Sequence, residues 1–109
     1  MFSQKGSSPK VSEETLQNMA DILHILAHPL RIKIIFILAE KPATVSELIK
    51  MLDVRQPNLS QHLTLLKRVK LLRTRREGKS VYYQINYPEI KGFLEKAKEL
   101  VEVIQERPR

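Results

Sequence analysis

Residues 55–68, RQPNLSQHLTLLKR, place small amide and hydroxyl side chains on what would be the outer side of a helix. An amide can donate and accept a hydrogen bond at once, as the major-groove edge of adenine requires, and hydroxyl side chains are short enough for close approach. The alternative, an ordinary surface helix, would mix acidic with basic residues, and this stretch contains no Asp or Glu. We therefore predict that this side, called the polar face below, meets the edges of DNA bases. Its residues are Gln56, Asn58, Ser60, Gln61 and Thr64.

The distribution of charge favours a polyanionic partner. The protein has a net charge of +7 and a pI of about 9.9. Residues 54–79 contain eight Lys and Arg but one acid, Glu77, whereas cations and anions balance over the rest of the chain. Such a surplus indicates phosphate binding; the alternative is a chance cluster of solvated side chains. The expected phosphate contacts are Arg55, Lys67 and Arg68 beside the polar face. Further along, Arg73, Arg75, Arg76 and Lys79 are expected to meet the DNA backbone or the minor groove.

Hydrophobic periodicity predicts the helices that hold the polar face in place. Ser12 is positioned to cap a first helix, whose apolar residues recur every three or four positions until His28-Pro29 interrupts the pattern. The second helix, PLRIKIIFILAE, is apolar on almost every side, which is typical of a buried central helix. A third helix begins after Thr44, where Glu47 stands in the position that completes a capping box.

A turn at residues 53–56 separates the third helix from a fourth, which has Pro57 in its first turn. On this fourth helix Leu59, Leu63 and Leu66 are spaced by four and three residues, so they point inward together, away from the polar face. Two short helices joined by a tight turn, the second with a polar outer face, indicate a helix-turn-helix.

After the helix-turn-helix the periodicity changes from 3.6 to 2 in LLRTRRE and SVYYQIN, which predicts a β-hairpin with its tip at residues 77–79. Pro88 then opens a last helix. The order helix-helix-helix-helix-strand-strand-helix is mainly α with a small β-hairpin wing, that is, a winged helix-turn-helix. We predict one DNA-binding and dimerisation domain over residues 12–105, between a flexible N-terminal tail (1–11) and a C-terminal tail (106–109).

The first and last helices carry more apolar surface than one small core requires. A chain of 109 residues buries only a modest core by itself, so a second copy of the chain is the expected cover. Two-fold pairing would set two fourth helices about 34 Å apart, one turn of DNA, and predicts a palindromic binding site. The residues expected at the homodimer interface are Leu16, Met19, Leu23, Ile90, Phe93, Leu94, Ala97, Leu100, Val101 and Ile104.

Composition argues against several other classes of protein. No apolar run approaches 18 residues, so no membrane span is expected. The chain has no cysteine for disulfides or thiolate metal sites, and its N-terminal residues lack the apolar core of a secretion signal, so a cytoplasmic location is the default expectation. Because no Gly-rich phosphate loop, Ser/His/Asp set or carboxylate pair is apparent, we expect no enzymatic activity and no cofactor.

Four segments in combination resemble the ArsR/SmtB family of bacterial and archaeal winged-helix repressors: LAHPLRIKIIFIL, VSELIKML, QPNLSQHLTLLKR and TRREGKSVYYQI. The resemblance covers roughly residues 16–105. It implies a homodimer that pairs through the first and last helices, binds imperfect inverted repeats in promoters and is usually released by a ligand. Carried over residue by residue, it implies a reading helix with Gln56, Asn58, Ser60, Gln61 and His62, and a wing with Arg75, Arg76, Gly78 and Lys79.

Three residues depart from the pattern of that family. Asp53 and Lys70 stand where such proteins commonly have Gly, and Arg55 stands where they often have a Ser cap. Many relatives sense metals through Cys, or through Asp and His pairs on the last helix, but this chain has no Cys and no His in its last helix. His24 and His28 have the i, i+4 spacing of a zinc pair, yet a proline ends that helix and no third ligand is evident. We expect no metal site, and the effector is unknown.

The acids of the last helix, Glu95, Glu99, Glu102 and Glu106, alternate with lysines, which predicts a salt-bridged solvated face in place of a hard-metal site. The leading hypothesis is a homodimeric, sequence-specific regulator of transcription that binds double-stranded DNA as a repressor. The alternative is a winged-helix scaffold for nucleic-acid binding or dimerisation with little sequence specificity.

Overall fold

The computed structural model describes residues 10–107, which form five helices and one antiparallel hairpin. This order confirms the predicted winged helix-turn-helix. The last helix continues to Glu106, one residue beyond the predicted domain boundary, and most of the predicted N-terminal tail lies outside the described residues. The elements are α1 (Glu13–Leu26), α2 (Pro29–Glu40), α3 (Val45–Leu52), α4 (Gln56–Arg68), β1 (Leu72–Glu77), β2 (Ser80–Ile85) and α5 (Glu89–Glu106).

Side-chain caps define where the first three helices begin. The Ser12 hydroxyl accepts from the Thr15 backbone N–H at 3.1 Å, as predicted for α1. At α3 the Thr44 hydroxyl accepts from the Glu47 N–H and the Glu47 carboxylate accepts from the Thr44 N–H, so the predicted capping box is complete. At α2, where Pro29 occupies the first turn, Nδ1 of His28 accepts from the Leu30 N–H at 3.3 Å.

The break between α1 and α2 turns the chain sharply. Within residues 10–107 no single helix is long and apolar enough to cross a membrane. Together α1 and α2 reach that length and composition, but they are bent by 94° at the break between them.

One hydrophobic core joins the helices to the hairpin. From α2, Ile34 and Ile35 are fully buried, which confirms the central position of that helix, although its Ile32 and Phe36 are only partly covered. The inward leucines of α4 have no exposed surface at all, so α4 is held firmly from its inner side. The buried set is Leu26, Ile34, Ile35, Leu38, Ala43, Leu48, Leu52, Leu59, Leu63, Leu66, Leu71, Leu72, Ile90 and Leu94.

The hairpin is attached to the helix-turn-helix by its backbone. Its strands pair from Leu72 with Ile85 to Glu77 with Ser80. Beyond this sheet, Tyr83 forms an isolated antiparallel bridge with Ala43, the residue just before the α3 capping box. The Tyr83 N–H donates to the Ala43 carbonyl at 2.8 Å and the Ala43 N–H donates to the Tyr83 carbonyl at 3.0 Å. The bridge, which the sequence pattern did not predict, fixes the wing relative to α3.

Two of the departures from the family pattern have a left-handed backbone. Asp53, the C-cap of α3, has φ 53°, and Lys70, after α4, has φ 69°. Glycine adopts this conformation without the steric cost that a Cβ imposes, of about 1–2 kcal/mol per residue. Asp53 and Lys70 therefore bear a steric cost that Gly at these positions would avoid.

Candidate nucleic-acid interface

The polar face of α4 is exposed on the side opposite its buried leucines. Gln56, Asn58, Gln61 and Thr64 are exposed as predicted, whereas Ser60 is half-buried. Within residues 10–107 none of the three amide side chains is used in a hydrogen bond of the protein itself, so their donors and acceptors are open to a partner. The α4 surface also carries no acid, and nothing in its charge repels a phosphate backbone.

Cations flank the polar face at both ends of α4. Arg55 is the N-cap residue, and its side chain makes no capping hydrogen bond, in agreement with the replacement of the usual Ser. Lys67 and Arg68 lie exposed in the last turn. Because both ends of α4 are positive and the side between them is neutral, phosphates can approach the ends while base edges approach the centre.

His62 does not lie on the polar face, although the family resemblance placed it with the reading residues. Its ring is half-buried, and its Nδ1 accepts from Nε of Arg31 on α2 at 3.1 Å. It also meets the ring of His28 edge-on, with 4.5 Å between ring centroids. Burial, followed by the charges of His28 and Arg31, holds the pKa of His62 below its usual value of 6.5. His62 therefore joins α4 to α2. Its partner Arg31 lies 31 residues away in the chain, so the local sequence pattern could not predict this contact.

Three of the four wing cations lie on the two faces of the hairpin, and the fourth, Lys79, lies at its tip. Arg73 and Arg75 share one face because strand residues alternate, and Arg76 lies on the other, opposite Val81. When the Gln84 amide is oriented so that its oxygen faces Arg73, that oxygen accepts from Nε at 3.0 Å and Nη2 at 2.9 Å.

Arg75 is engaged by its own strand and by the strand opposite. Its guanidinium forms an ion pair with Glu77 and lies 5.5 Å from the centroid of the Tyr82 ring. Within residues 10–107 Arg76 and Lys79 have no such ion pair, and Gly78, with φ 61°, allows the tight turn that presents Lys79 at the tip. The tip cations are consequently the freer of the wing charges.

Comparison with known proteins bears directly on this site. A sequence model of the ArsR family of bacterial regulatory proteins matches residues 28–74, from the α2 cap through the helix-turn-helix into β1. The transcriptional repressor PagR of Bacillus anthracis is 36% identical over 86 residues, which are 78% of this chain and 86% of PagR. The chain belongs to the ArsR family.

Solved structures agree with that assignment. The crystal structure of Rv0081 from M. tuberculosis is 33% identical, with a TM-score of 0.77, over 86% of this chain and 95% of that one. Among relatives found by sequence, the transcriptional activator HlyU of Vibrio cholerae is 35% identical over 74 residues, which are 68% of this chain and 68% of HlyU. As an ArsR-family winged helix the protein is a DNA-binding transcriptional regulator, the function that the sequence predicted.

The ArsR-family fold leaves much of α1 and α5 without cover. Met19 and Leu23 of α1 are 48% and 47% exposed, and Phe93 of α5 is 47% exposed. With Ile22 and Tyr87, which the sequence analysis did not select, they line an apolar groove of about 310 Å³ between the two helices. Leu16 is half-buried.

The second half of α5 extends away from the core. Every residue from Glu95 to Glu106 is exposed, including the apolar residues that were predicted at the dimer interface. Ion pairs cover the other side, with Lys98 to Glu102 at 3.0 Å and Lys96 to Glu99 at 3.5 Å, as expected for a solvated salt-bridged face. The exposed apolar residues of this half are Ala97, Leu100, Val101, Val103 and Ile104.

Ile90 and Leu94 differ from the other residues predicted at the dimer interface. They are 8% and 5% exposed and belong to the core of their own chain. One apolar stripe on α5 thus belongs to the core of the chain in its first turns and is exposed in its last three. The periodicity could not separate the two uses, because both give the same three-four spacing.

Proposed function

We propose that this ArsR-family protein acts as a homodimer that binds an inverted-repeat operator in double-stranded DNA and represses transcription by occupying a promoter. The observation that carries the proposal is the exposed, acid-free polar face of α4, whose amides have no partner within residues 10–107 and which lies inside the cationic window 54–79.

In this proposal α4 enters the major groove, which is wide enough for one helix and presents a distinct hydrogen-bonding pattern for each base pair. Gln56 and Gln61 bind adenine edges, and the short Ser60 and Thr64 let the helix approach closely. Arg55, Lys67 and Arg68 contact phosphates, which orient the protein without reading sequence. Asn58 contributes at the groove edge, while Arg73, Arg75, Arg76 and Lys79 of the wing bind the neighbouring backbone.

The bare surfaces of α1 and α5 support the homodimer. Monomeric proteins rarely leave contiguous apolar patches of this kind in water. In the last three turns of α5, Leu100, Val101 and Ile104 are 60%, 48% and 59% exposed, and a second chain would cover them. An isologous two-fold interface that adds Leu16, Met19, Leu23, Phe93 and Ala97 would unite the exposed residues of both helices. It would set two copies of α4 about 34 Å apart and so match a palindromic site.

Repression, as opposed to activation, is part of the proposal. PagR is a repressor and HlyU an activator, so family membership alone permits both. In the cytoplasm, a dimer bound over a promoter would exclude polymerase by occupancy alone, so repression requires no contact beyond those that α4 and the wing make with DNA.

The experiment begins with selection of the tightest-binding duplex from a randomised library, which serves as the operator. Its affinity is compared with that of a shuffled duplex of equal length and composition at near-physiological salt. A ratio of at least about a thousandfold is expected of a regulator. A ratio near unity would favour the alternative, a scaffold with little sequence specificity. Sedimentation of the free protein and of the complex should give two chains per operator, and an operator without dyad symmetry would contradict the dimer.

A further inference from the structure

A half-buried polar cluster ties the reading helix to the α1–α2 junction. Arg31 donates from Nε to Nδ1 of His62 at 3.1 Å, and from Nη1 to the Ile25 carbonyl at the end of α1 at 2.9 Å. His28 contacts the His62 ring and caps α2 through Nδ1, which accepts from Leu30. One guanidinium therefore connects three helices, and its bond to His62 reaches the helix that carries the polar face.

The hydrogen bond from Arg31 fixes the protonation of His62. Because Nδ1 of His62 accepts, the ring is neutral and carries its proton on Nε2. The charged and titratable groups that face His62 are Arg31 from α2 and His28 from the α1–α2 junction. Within residues 10–107 no carboxylate forms an ion pair with any of the three. A proton on Nδ1 of His62 would turn the acceptor into a second donor that faces the Arg31 N–H, and the hydrogen bond would be lost. It would also add a positive charge beside Arg31 with no carboxylate from residues 10–107 paired to it.

His62 follows Gln61 directly, so the two side chains point about 100° apart around α4. The bond that holds His62 against α2 therefore acts together with the buried leucines of α4 to fix the rotation of α4 and the direction in which Gln61 projects. We propose that Arg31 and His62 are positioning residues for the reading helix, and that sequence-specific DNA binding requires the neutral, hydrogen-bonded form of His62. This inference rests on the proposed function of α4 as the element that reads DNA.

The direction of the pH effect follows from the lowered pKa of His62. A histidine whose pKa is lower in the folded than in the unfolded state makes its full contribution to stability above pH 6.5. This contribution is lost as the pH falls through the lowered pKa of the folded state. An added positive charge by itself would strengthen binding to any DNA. Loss of positioning instead weakens operator binding relative to shuffled DNA. The ratio of the two affinities therefore separates the effects.

The test measures that ratio for the operator and the shuffled duplex between about pH 5 and 8, the range in which histidines titrate. For the natural protein we expect the ratio of operator affinity to shuffled affinity to fall about tenfold when the pH is lowered below 6.5. A tenfold change corresponds to the loss of about one hydrogen bond to a charged group. His62→Asn places a non-titrating amide oxygen near the position of Nδ1 and should keep the ratio high and flat. His24→Asn removes an exposed histidine of α1 and should leave the natural profile unchanged.

A second variant makes the test independent of the folding of His62→Asn. His28→Asn retains an N-cap for α2 but removes one cause of the lowered pKa of His62, so the fall in the ratio should begin at higher pH. The His62 resonances of the free natural protein should titrate at the same pH as the ratio. A high ratio that stays flat with pH in the natural protein, or a His62→Asn profile that falls like the natural one, overturns this inference alone. A ratio of unity at neutral pH overturns the proposed function itself.

Discussion

Replacement of Gln61 by alanine isolates base reading from every other role of α4. Gln61 is exposed and, within residues 10–107, its amide makes no hydrogen bond to the protein. Alanine has a helix propensity at least as favourable, so the free energy of unfolding should change by less than about 0.5 kcal/mol. A bidentate contact between an amide and adenine is worth about 1–3 kcal/mol. The proposed homodimer would lose two such contacts, so we expect the operator complex to weaken by about 2–6 kcal/mol, at least about thirtyfold.

Fluorescence anisotropy with labelled operator and shuffled duplexes, at one fixed salt concentration, measures both affinities of Gln61→Ala. Shuffled DNA should bind almost as before, because phosphate contacts do not involve this amide. The matched control is Gln17→Ala, which removes an exposed amide from α1 that hydrogen-bonds to Asp21 at 3.0 Å. The control should change neither affinity. An equal loss on operator and shuffled DNA in Gln61→Ala would refute the assignment of this residue to base edges.

Three further predictions address the dimer surface, the wing and the backbone. Because Leu100 is 60% exposed, Leu100→Lys should give monomers by sedimentation and retain its α-helical circular dichroism. Leu94 belongs to the core, so Leu94→Ala should lower the free energy of unfolding by about 2–5 kcal/mol. Similar effects of the two variants would contradict the assignment of Leu94 to the core and Leu100 to the dimer interface. Glu77→Gln frees Arg75 in each protomer of the proposed homodimer, so both duplexes should bind more tightly with a salt slope steeper by about 2. Arg75→Ala should weaken both with a shallower slope, and unchanged slopes would place the ion pair away from DNA. Lys70→Gly should raise the midpoint of urea unfolding by the equivalent of about 1 kcal/mol by relieving a φ of 69°, and a lower midpoint would show that this backbone is not strained.

The sequence by itself determined the order of the elements and the face that α4 presents. The Ser12 cap, the Thr44–Glu47 capping box and the inward leucines of α4 all depend on residues at most seven positions apart. Such interactions repeat with the geometry of a single helix, so spacing along the chain is enough to predict them. The exposed amides of Gln56 and Gln61 follow from the same geometry, because a residue opposite a buried stripe must face outward.

Tertiary structure decided which partner each ambiguous side chain meets. His62 falls at a position on α4 that spacing alone left open, and only the packing of α2 against α4 supplies Arg31 and turns the ring inward. Likewise Ile90 and Leu94 share their periodicity with Leu100, and only the extent of the core shows where α5 leaves it. The physical reason is common to both cases. Periodicity records that a side chain is apolar or polar, whereas burial and hydrogen bonding depend on residues far away in the chain that the fold brings alongside.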